Sequence, residues 1–409
     1  MNSSPTVVLS QPEPAVTVEE MVSRARSLRP TLRDQQSATE DRGTYSEEMH
    51  QTFQDAGFYR MMQPRRFGGY EFGAPEYFRV IIEVARGCPG TGWCLCLAAG
   101  HNGVLGSFFS EQAQAVAYGD DGNFAAPFRP FPMGTAKRAP GGWQINGEWN
   151  YCSGAPYSTH AILGVRFEDD DVPHDLGLVL IGRDQWTMLD DWRTSVLGMS
   201  GSGSNTVRVT DAVVDDESVV FGRFPDELPR GADAPGYRLH GNPLYAGITE
   251  GYGPMEVTTV LVGCARAAAD EYERILREKK TSGPNPQPRF TAPEYVKWYC
   301  EAVAKVDAAE GLLLRGAQDF MSCCEAAVSD PDSDWSTELA EVDLVQHEVT
   351  NELAWSALEL MFRTSGSSEG ARRGSRMQRY YRDYSMGRTN VAVQTTLSER
   401  AFAAAYFGA

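Results

Sequence analysis

The chain has 409 residues, with 37 Lys+Arg against 55 Asp+Glu and a formal net charge of −18. At ~150 residues per domain, that length predicts two to three domains around a large core. Hydrophobic residues at 42% and charged residues at 22% argue against a disordered chain. The acid excess argues against nucleic acid or an anionic membrane surface as partner, because both would repel this chain.

Residues 1–16 carry Pro5, Pro12 and Pro14 without a helical period and predict a flexible tail. The tail has no basic n-region and no apolar h-region, and no stretch approaches the ~18 apolar residues of a membrane span, so the expected location is cytoplasmic. Residues 17–120 read as an N-terminal helical domain. Met21, Ala25, Leu28 and Leu32 recur at helical spacing, and Ser46 is placed to cap the helix that carries Met49 and Phe53. Helices are predicted over 75–86 and 93–109, interrupted by a turn at 87–90. Residues 121–225 change texture. Short apolar runs at 142–148, 160–167, 176–181 and 206–214, separated by Gly, Pro and Asp, predict a β domain. Residues 226–409 read as a Gly- and Pro-rich linker crossing the surface to about 254, followed by four long helical stretches. Their predicted faces are Val260, Cys264, Ala268, Tyr272 and Ile275; Val296, Tyr299, Val303, Val306 and Leu313; and Leu339, Val342, Val345, Val349, Leu353 and Leu360, with a last stretch from about Ser375.

The eight cysteines include no Cys-x-x-Cys pair. Cys94, Cys96, Cys264 and Cys300 fall in apolar periodic segments and read as buried thiols. Six scattered histidines give no metal-ligand spacing, so no metal is expected. Residues 198–204, Gly-Met-Ser-Gly-Ser-Gly-Ser, lack the Gly-Lys-Ser/Thr of a phosphate loop and lead into a strand rather than a helix, so spacing alone gives a flexible β-β turn. No nicotinamide-binding motif is evident.

Five segments, in order, carry a resemblance. Residues 58–69 (Phe-Tyr-Arg-Met-Met-Gln-Pro-Arg-Arg-Phe-Gly-Gly) are similar to a "G-F-F-R-x-x-Q-P-x-x-Y-G-G" segment, and Thr91-Gly92-Trp93 with His101 is similar to an "S-T-A-W … H" helix. Residues 147–154 (Gly-Glu-Trp-Asn-Tyr-Cys-Ser-Gly) resemble "G-x-W-x-F-x-S-G", residues 198–204 resemble "G-x-x-G-T-G-S", and residues 378–383 (Gln-Arg-Tyr-Tyr-Arg-Asp) resemble "Q-R-x-x-R-D". Together they resemble the oxygenase components of two-component flavin-dependent monooxygenases, such as that of 4-hydroxyphenylacetate 3-hydroxylase. The resemblance implies an α+β acyl-CoA dehydrogenase-like fold: an N-terminal helical domain, a middle β-barrel or sandwich domain and a C-terminal four-helix bundle. It further implies a homotetramer that takes FMN as FMNH2, or FADH2, from a separate NAD(P)H-dependent flavin reductase. Reduced flavin and O2 would form a C4a-hydroperoxyflavin that hydroxylates a phenolic, polyketide-like or indolic small molecule.

The resemblance also assigns residues. Ser153, by itself a turn-capping Ser before Gly, would hydrogen-bond the flavin N5 region, flanked by Cys152 and Gly154. Trp93, otherwise a core aromatic, and the 129–131 segment (Arg129, Pro130, Phe131) would line the isoalloxazine. Ser202, Ser204, Ser367, Ser368 and Thr389 would contact the flavin. Lys280 would meet its phosphate, unless Lys279 and Lys280 are a solvated basic helix end or Arg289 takes that place. His101, otherwise a satisfied core histidine, would hold a substrate oxygen. Asn390 stands where related hydroxylases carry a second His, and it can orient a polar group but cannot take a proton. Arg129 stands where many relatives have a small hydroxyl residue. Arg379 and Arg382 read as structural ion pairs with acids such as Asp383. The alternatives are N-oxygenation of an amine or amino sugar on the same fold, or an acyl-CoA dehydrogenase with bound FAD. The latter needs a carboxylate base on the bundle, and Glu369 stands in the wrong motif context for it.

Overall fold

A computed structural model describes residues 8–169, 171–330, 347–393, 400, 402–404 and 406–407. Leu339, Val342 and Val345 of the expected third bundle face lie outside the described residues.

The N-terminal helices begin where the sequence offers caps. Helix α1 (Val18–Arg42) opens on a capping box: the Thr17 hydroxyl accepts from the Glu20 N–H, and the Glu20 carboxylate accepts from the Thr17 N–H at 2.8 Å. It closes on Gly43 in the left-handed region (φ 88°). Ser46 caps α2 (Glu47–Asp55) by accepting from the Met49 N–H. Helix α3 (Ala74–Gly87) carries Pro75 in its first turn. The expected turn at 87–90 is absent. Cys88 alone separates α3 from α4 (Pro89–Gly100), because Pro89 has no N–H to satisfy and can start a helix at once. The expected 93–109 helix is in turn divided at His101, after which α5 (Asn102–Phe108) and the Ser110-capped α6 (Glu111–Tyr118) follow.

Seven strands then form one sheet: β1 (Phe128–Ala139), β2 (Gly142–Cys152), β3 (His160–Phe167), β4 (Leu176–Gly182), β5 (Thr187–Met188), β6 (Asn205–Val214) and β7 (Val219–Phe221), in the spatial order β5-β6-β2-β1-β3-β4-β7. All pairs are antiparallel except β1 with β3. Trp149 anchors the sheet core, its indole N–H donating to the Gly164 carbonyl at 2.7 Å.

The stretch after β7 is not a surface strap. It includes the short helix α7 (Pro235–His240), and Leu244, Tyr245 and Ala246 are buried, with the Tyr245 hydroxyl donating to the Met62 carbonyl at 2.9 Å. The bundle helices are α8 (Tyr252–Glu278), α9 (Pro293–Ser329), α10 (His347–Ser365) and α11 (Arg376–Gly387). The expected α8 face is buried throughout, whereas Val296 and Val349 lie on solvent faces, 40% and 42% exposed, and Cys300 is exposed rather than buried.

Helix α4 fixes where the site lies. All but one of its residues are buried and it is apolar on every side, as a helix enclosed by other elements must be. Its glycines set the spacing: a Cβ on Gly92 would stand 2.6 Å from the Ala85 Cβ and 2.7 Å from the Ala85 Cα. Gly92→Ala should therefore lose ~1–3 kcal/mol to overpacking, more than the ~0.5–1 kcal/mol that Ala gains over Gly in a helix. A urea midpoint at or above the wild-type value would refute this contact.

Candidate active site

Helix α4, the end of β2 and the turn before β6 meet in one hydrogen-bonded chain. The Trp93 indole N–H donates to Ser153 Oγ at 3.0 Å; Ser153 Oγ and Ser204 Oγ are 2.7 Å apart, and Ser204 Oγ and Ser202 Oγ also 2.7 Å. Three hydroxyl protons serve two hydroxyl-hydroxyl bonds, so one proton is left over whichever way the chain runs. Gly154, at φ 87°, lets β2 close on α4, since a Cβ there would lie 2.8 Å from the Ala98 Cβ. Four of the residues assigned from sequence (Trp93, Ser153, Ser202, Ser204) are thus in direct contact through this chain.

The 198–204 segment is not a loose turn. Residues Ser200–Ser202 form a buried 3-10 turn between Met199 (φ 54°) and Gly203 (φ 59°), both left-handed. The Gly203 N–H donates to the Gly43 carbonyl at 3.0 Å, and the Met199 N–H donates to the Asp383 carboxylate at 2.6 Å. Arg379 and Arg382 pair with Glu40 of α1, at 2.8 and 2.9 Å, and not with Asp383 as the sequence reading had it. The pair of arginines ties α11 to α1, while Asp383 fixes the serine turn.

His101 stands where α4 ends. Its Nδ1–H donates to the Ala126 carbonyl at 2.8 Å, which places the lone pair on Nε2, and burial pulls its pKa down to about 4. Nε2 faces the carboxyl of Glu256, with Oε2 at 3.9 Å. Glu256, on the first turns of α8, is buried, and burial pushes its carboxyl well above the usual range against the smaller pull of the Tyr252 hydroxyl. Sequence reading missed Glu256. The available signal was a lone carboxylate entering the uncharged run 257–265.

The other assigned residues fall in separate places. Arg129 stacks on Phe131, 4.6 Å from the ring centre, and its Nε is buried with no hydrogen-bond partner. Pro130 is half-buried and Phe131 is 49% exposed. Cys152 turns its thiol to the Trp149 carbonyl, and burial pushes the thiol up to about 12. The end of α11 reaches Trp93: a Cβ on Gly387 would stand 3.4 Å from the indole ring. Beyond it, the Thr389 hydroxyl donates to the Met386 carbonyl at 2.8 Å, and Asn390 Oδ1 accepts from the Ala392 N–H at 2.9 Å. Lys280, Ser367 and Ser368 are exposed. Arg289 donates to the Lys280 carbonyl at 3.2 Å and to the Ser365 carbonyl, just before Ser367, at 2.7 Å, so its guanidinium already serves two backbone carbonyls. No hydrogen bond or ion pair among the described residues joins this group to the serine chain. The described residues hold no cluster of three or more metal-ligating side chains, and none of their helices is long and apolar enough to cross a membrane.

Helices before and after a central sheet define the acyl-CoA dehydrogenase fold. Residues 19–115 match the acyl-CoA dehydrogenase N-terminal domain and residues 257–395 the C-terminal domain. Over 91% of this chain and 94% of its relative, the sequence is 28% identical to the flavin-dependent monooxygenase oxygenase subunit HsaA of Rhodococcus jostii (strain RHA1). It is 28% identical, over 74% of each chain, to the oxygenase component of FADH(2)-dependent resorcinol hydroxylase of Rhizobium sp. (strain MTP-10005). The crystal structure of 3-HSA hydroxylase from Rhodococcus sp. RHA1 superposes with a TM-score of 0.83 at 27% identity, covering 95% of this chain and 97% of that one. The chain belongs to the acyl-CoA dehydrogenase family, and the relatives it is similar to over most of its length are oxygenase components of flavin-dependent monooxygenases.

The Asp383 anchor has a pH signature. Burial, with Glu40's charge adding to it, pushes the carboxyl up to about 7 from an ordinary 3.8. The folded chain then keeps a proton that the unfolded chain has released. That contribution to stability is full below about pH 4 and is lost as pH rises through 7. Asp383→Asn, which keeps an oxygen for the Met199 N–H, should gain on the wild type as pH rises from about 4 to 7. Urea midpoints that run parallel across that range would contradict the shift.

Proposed function

We infer that this chain hydroxylates a phenolic, polyketide-like or indolic small molecule with O2, on reduced FMN or FADH2 delivered by a separate NAD(P)H-dependent reductase. The observation that carries the reading is the Trp93–Ser153–Ser204–Ser202 chain, which offers a planar cofactor an indole and one unspent hydroxyl proton. The unpartnered Nε of Arg129, on the residue whose positive charge bears on the neighbouring Cys152 thiol, suits the same polar ring edge. Bound reduced flavin supplies the activation of O2 and the transfer of one oxygen atom. The chain's own work is to bind, orient and keep water out. The serine turn is held against α1 and α11, so its hydroxyls are preorganised and need no rearrangement when the ring arrives. His101, with a free Nε2 lone pair in a buried setting, accepts a hydrogen bond from a substrate hydroxyl, which enriches the aromatic ring. Asn390, with its Oδ1 capping Ala392, has its amide N–H groups to orient an acceptor.

Lys280, Ser367 and Ser368 serve the flavin phosphate from a second copy of the chain, which fits their separation from the serine chain and a homotetramer in the cytoplasm. The relatives' names favour oxygenation over acyl-CoA dehydrogenation.

The test is anaerobic mixing of the purified chain with reduced FMN, followed by oxygen. A long-lived flavin absorbance transient is expected, and its absence together with bleaching of bound FAD by an acyl-CoA would sink the reading. Ser153→Ala should shorten that transient about tenfold, the equivalent of ~1.4 kcal/mol for one hydrogen bond; an unchanged lifetime removes Ser153 from the mechanism. NADH or NADPH alone should leave flavin oxidised on the purified chain, and direct reduction would overturn the two-component assignment.

A further inference from the structure

Helices α1 and α11 and the segment 193–200 enclose a cleft of about 660 Å³, within the range of small-molecule sites. Ser37, Glu40 and Asp41 line it from α1, and Gln378, Arg379 and Arg382 from α11. Both sets follow the three- and four-residue spacing that puts side chains on one side of a helix. Arg193 and Arg373 also line it, so four arginines meet two carboxylates in a chain whose net charge is −18. The cleft adjoins the serine turn through Ser200.

The hydrogen bonds in this cleft leave donors over. Glu40 is spent, because its two oxygens accept from Arg379 and Arg382 at 2.8 and 2.9 Å. Arg193 holds the Asp190 carboxylate with two hydrogen bonds and donates to the Asp41 carbonyl at 2.9 Å. Arg382 also donates to the Leu197 carbonyl at 2.9 Å, yet its Nε is buried without a partner. Among the described residues, Arg373 has no ion pair, and the Ser37, Thr194 and Ser200 hydroxyls have no hydrogen bond. Two acceptors are open as well: Gln378 Oε1, buried without a partner, and the Asp41 carboxylate, which makes no hydrogen bond among the described residues. A matching ligand brings several acceptor oxygens, negative charge for the arginines, and an O–H. A protonated phosphate brings all three, whereas sulfate at neutral pH has no O–H to give.

We propose that this cleft is a phosphate site, separate from the flavin contacts assigned to Lys280, Ser367 and Ser368. The unspent donors of Arg373, Arg382 and the three hydroxyls bind the phosphate oxygens. Gln378 Oε1 accepts the P–O–H, and the Asp41 carboxylate repels an anion that has no proton to offer. The ligand is free phosphate or a phosphorylated small molecule, two sources with the same recognition chemistry. The site needs no flavin, so the inference goes beyond the oxygenase reading and stands or falls apart from it.

Isothermal titration of the full-length, flavin-free chain with sodium phosphate, at constant ionic strength and about pH 6, where phosphomonoesters also keep part of their proton, reads the site directly. Wild type should bind phosphate at least about tenfold tighter than sulfate, and Gln378→Leu should bring that ratio within about threefold. Arg373→Glu should weaken phosphate at least about tenfold. Its side chain is exposed and holds no fold contact, so the variant keeps its structure. Arg372→Glu, the same charge change one residue away and outside the lining, and Lys280→Glu should each stay within about twofold. Glucose 6-phosphate separates the sources: tighter binding than phosphate assigns the cleft to a phosphorylated molecule, and equal or weaker binding to the free ion. Absence of phosphate binding by wild type, equal affinity for sulfate, or an unchanged ratio in Gln378→Leu overturns the proposal. So does a loss in Arg372→Glu or Lys280→Glu as large as in Arg373→Glu.

Discussion

The site depends on how closely helix α4 can be approached. Gly90 faces the backbone of Gly201, where an added Cβ would stand 3.2 Å from the Gly201 carbonyl carbon, and Gly92 faces Ala85 on α3. Ala98 faces Gly154 at the end of β2, and Gly100 faces the Glu256 carboxyl on α8. Four elements from three regions of the sequence therefore meet on twelve residues. A helix with ordinary side chains at these positions would hold them apart by a side chain's width, and the Trp93–Ser153–Ser204 contacts would not form. Small residues here act through what they omit, and close packing turns that omission into geometry.

A second constraint is electrostatic. The chain carries a net charge of −18, yet the groups around the site are held uncharged by burial: His101 at about 4, Cys152 at about 12, and Glu256 well above a usual carboxylate. The hydroxyls and indole of the Trp93–Ser153–Ser204–Ser202 chain are likewise uncharged. Among the described residues, the buried carboxyls other than Glu256 and Asp383 stand in ion pairs with arginines. The half-buried Glu40 is likewise shared by Arg379 and Arg382, at 2.8 and 2.9 Å.

Much of this architecture is legible in the residues, and the exceptions have physical causes. Strand β3 begins and ends where its apolar run does, at His160 and Phe167, because one buried run lies between polar punctuations. Strand β1 was not legible as a strand: Arg129, Pro130, Phe131 and Pro132 break its alternation, and its pairing shifts register between Arg129 and Gly134. The 198–204 turn reads as flexible because its glycines and serines are permissive in isolation. Its rigidity comes from Gly43 and Asp383, which are remote in sequence. Cys300 and Val296 sit in helical periods but on the outward side of α9, and periodicity alone does not say which of two stripes meets a neighbour. Glu256 was hidden for the opposite reason, since a carboxylate at the start of a helix is ordinarily a dipole-stabilised surface group. Only the fold places α4 over it.

The departure at Asn390 also takes on a definite meaning in this geometry. Its Oδ1 accepts from the Ala392 N–H, and its amide can donate or accept a hydrogen bond but cannot take a proton. A second histidine at that place would have given a second proton acceptor. His101 Nε2, with Nδ1–H fixed by Ala126, is a buried acceptor where α4 ends. His101 caps one end of α4, and Trp93 lies eight residues earlier along the chain. Both contacts therefore depend on the rigidity of α4: a shift of α4 large enough to loosen Trp93 from Ser153 would also move His101 against Glu256.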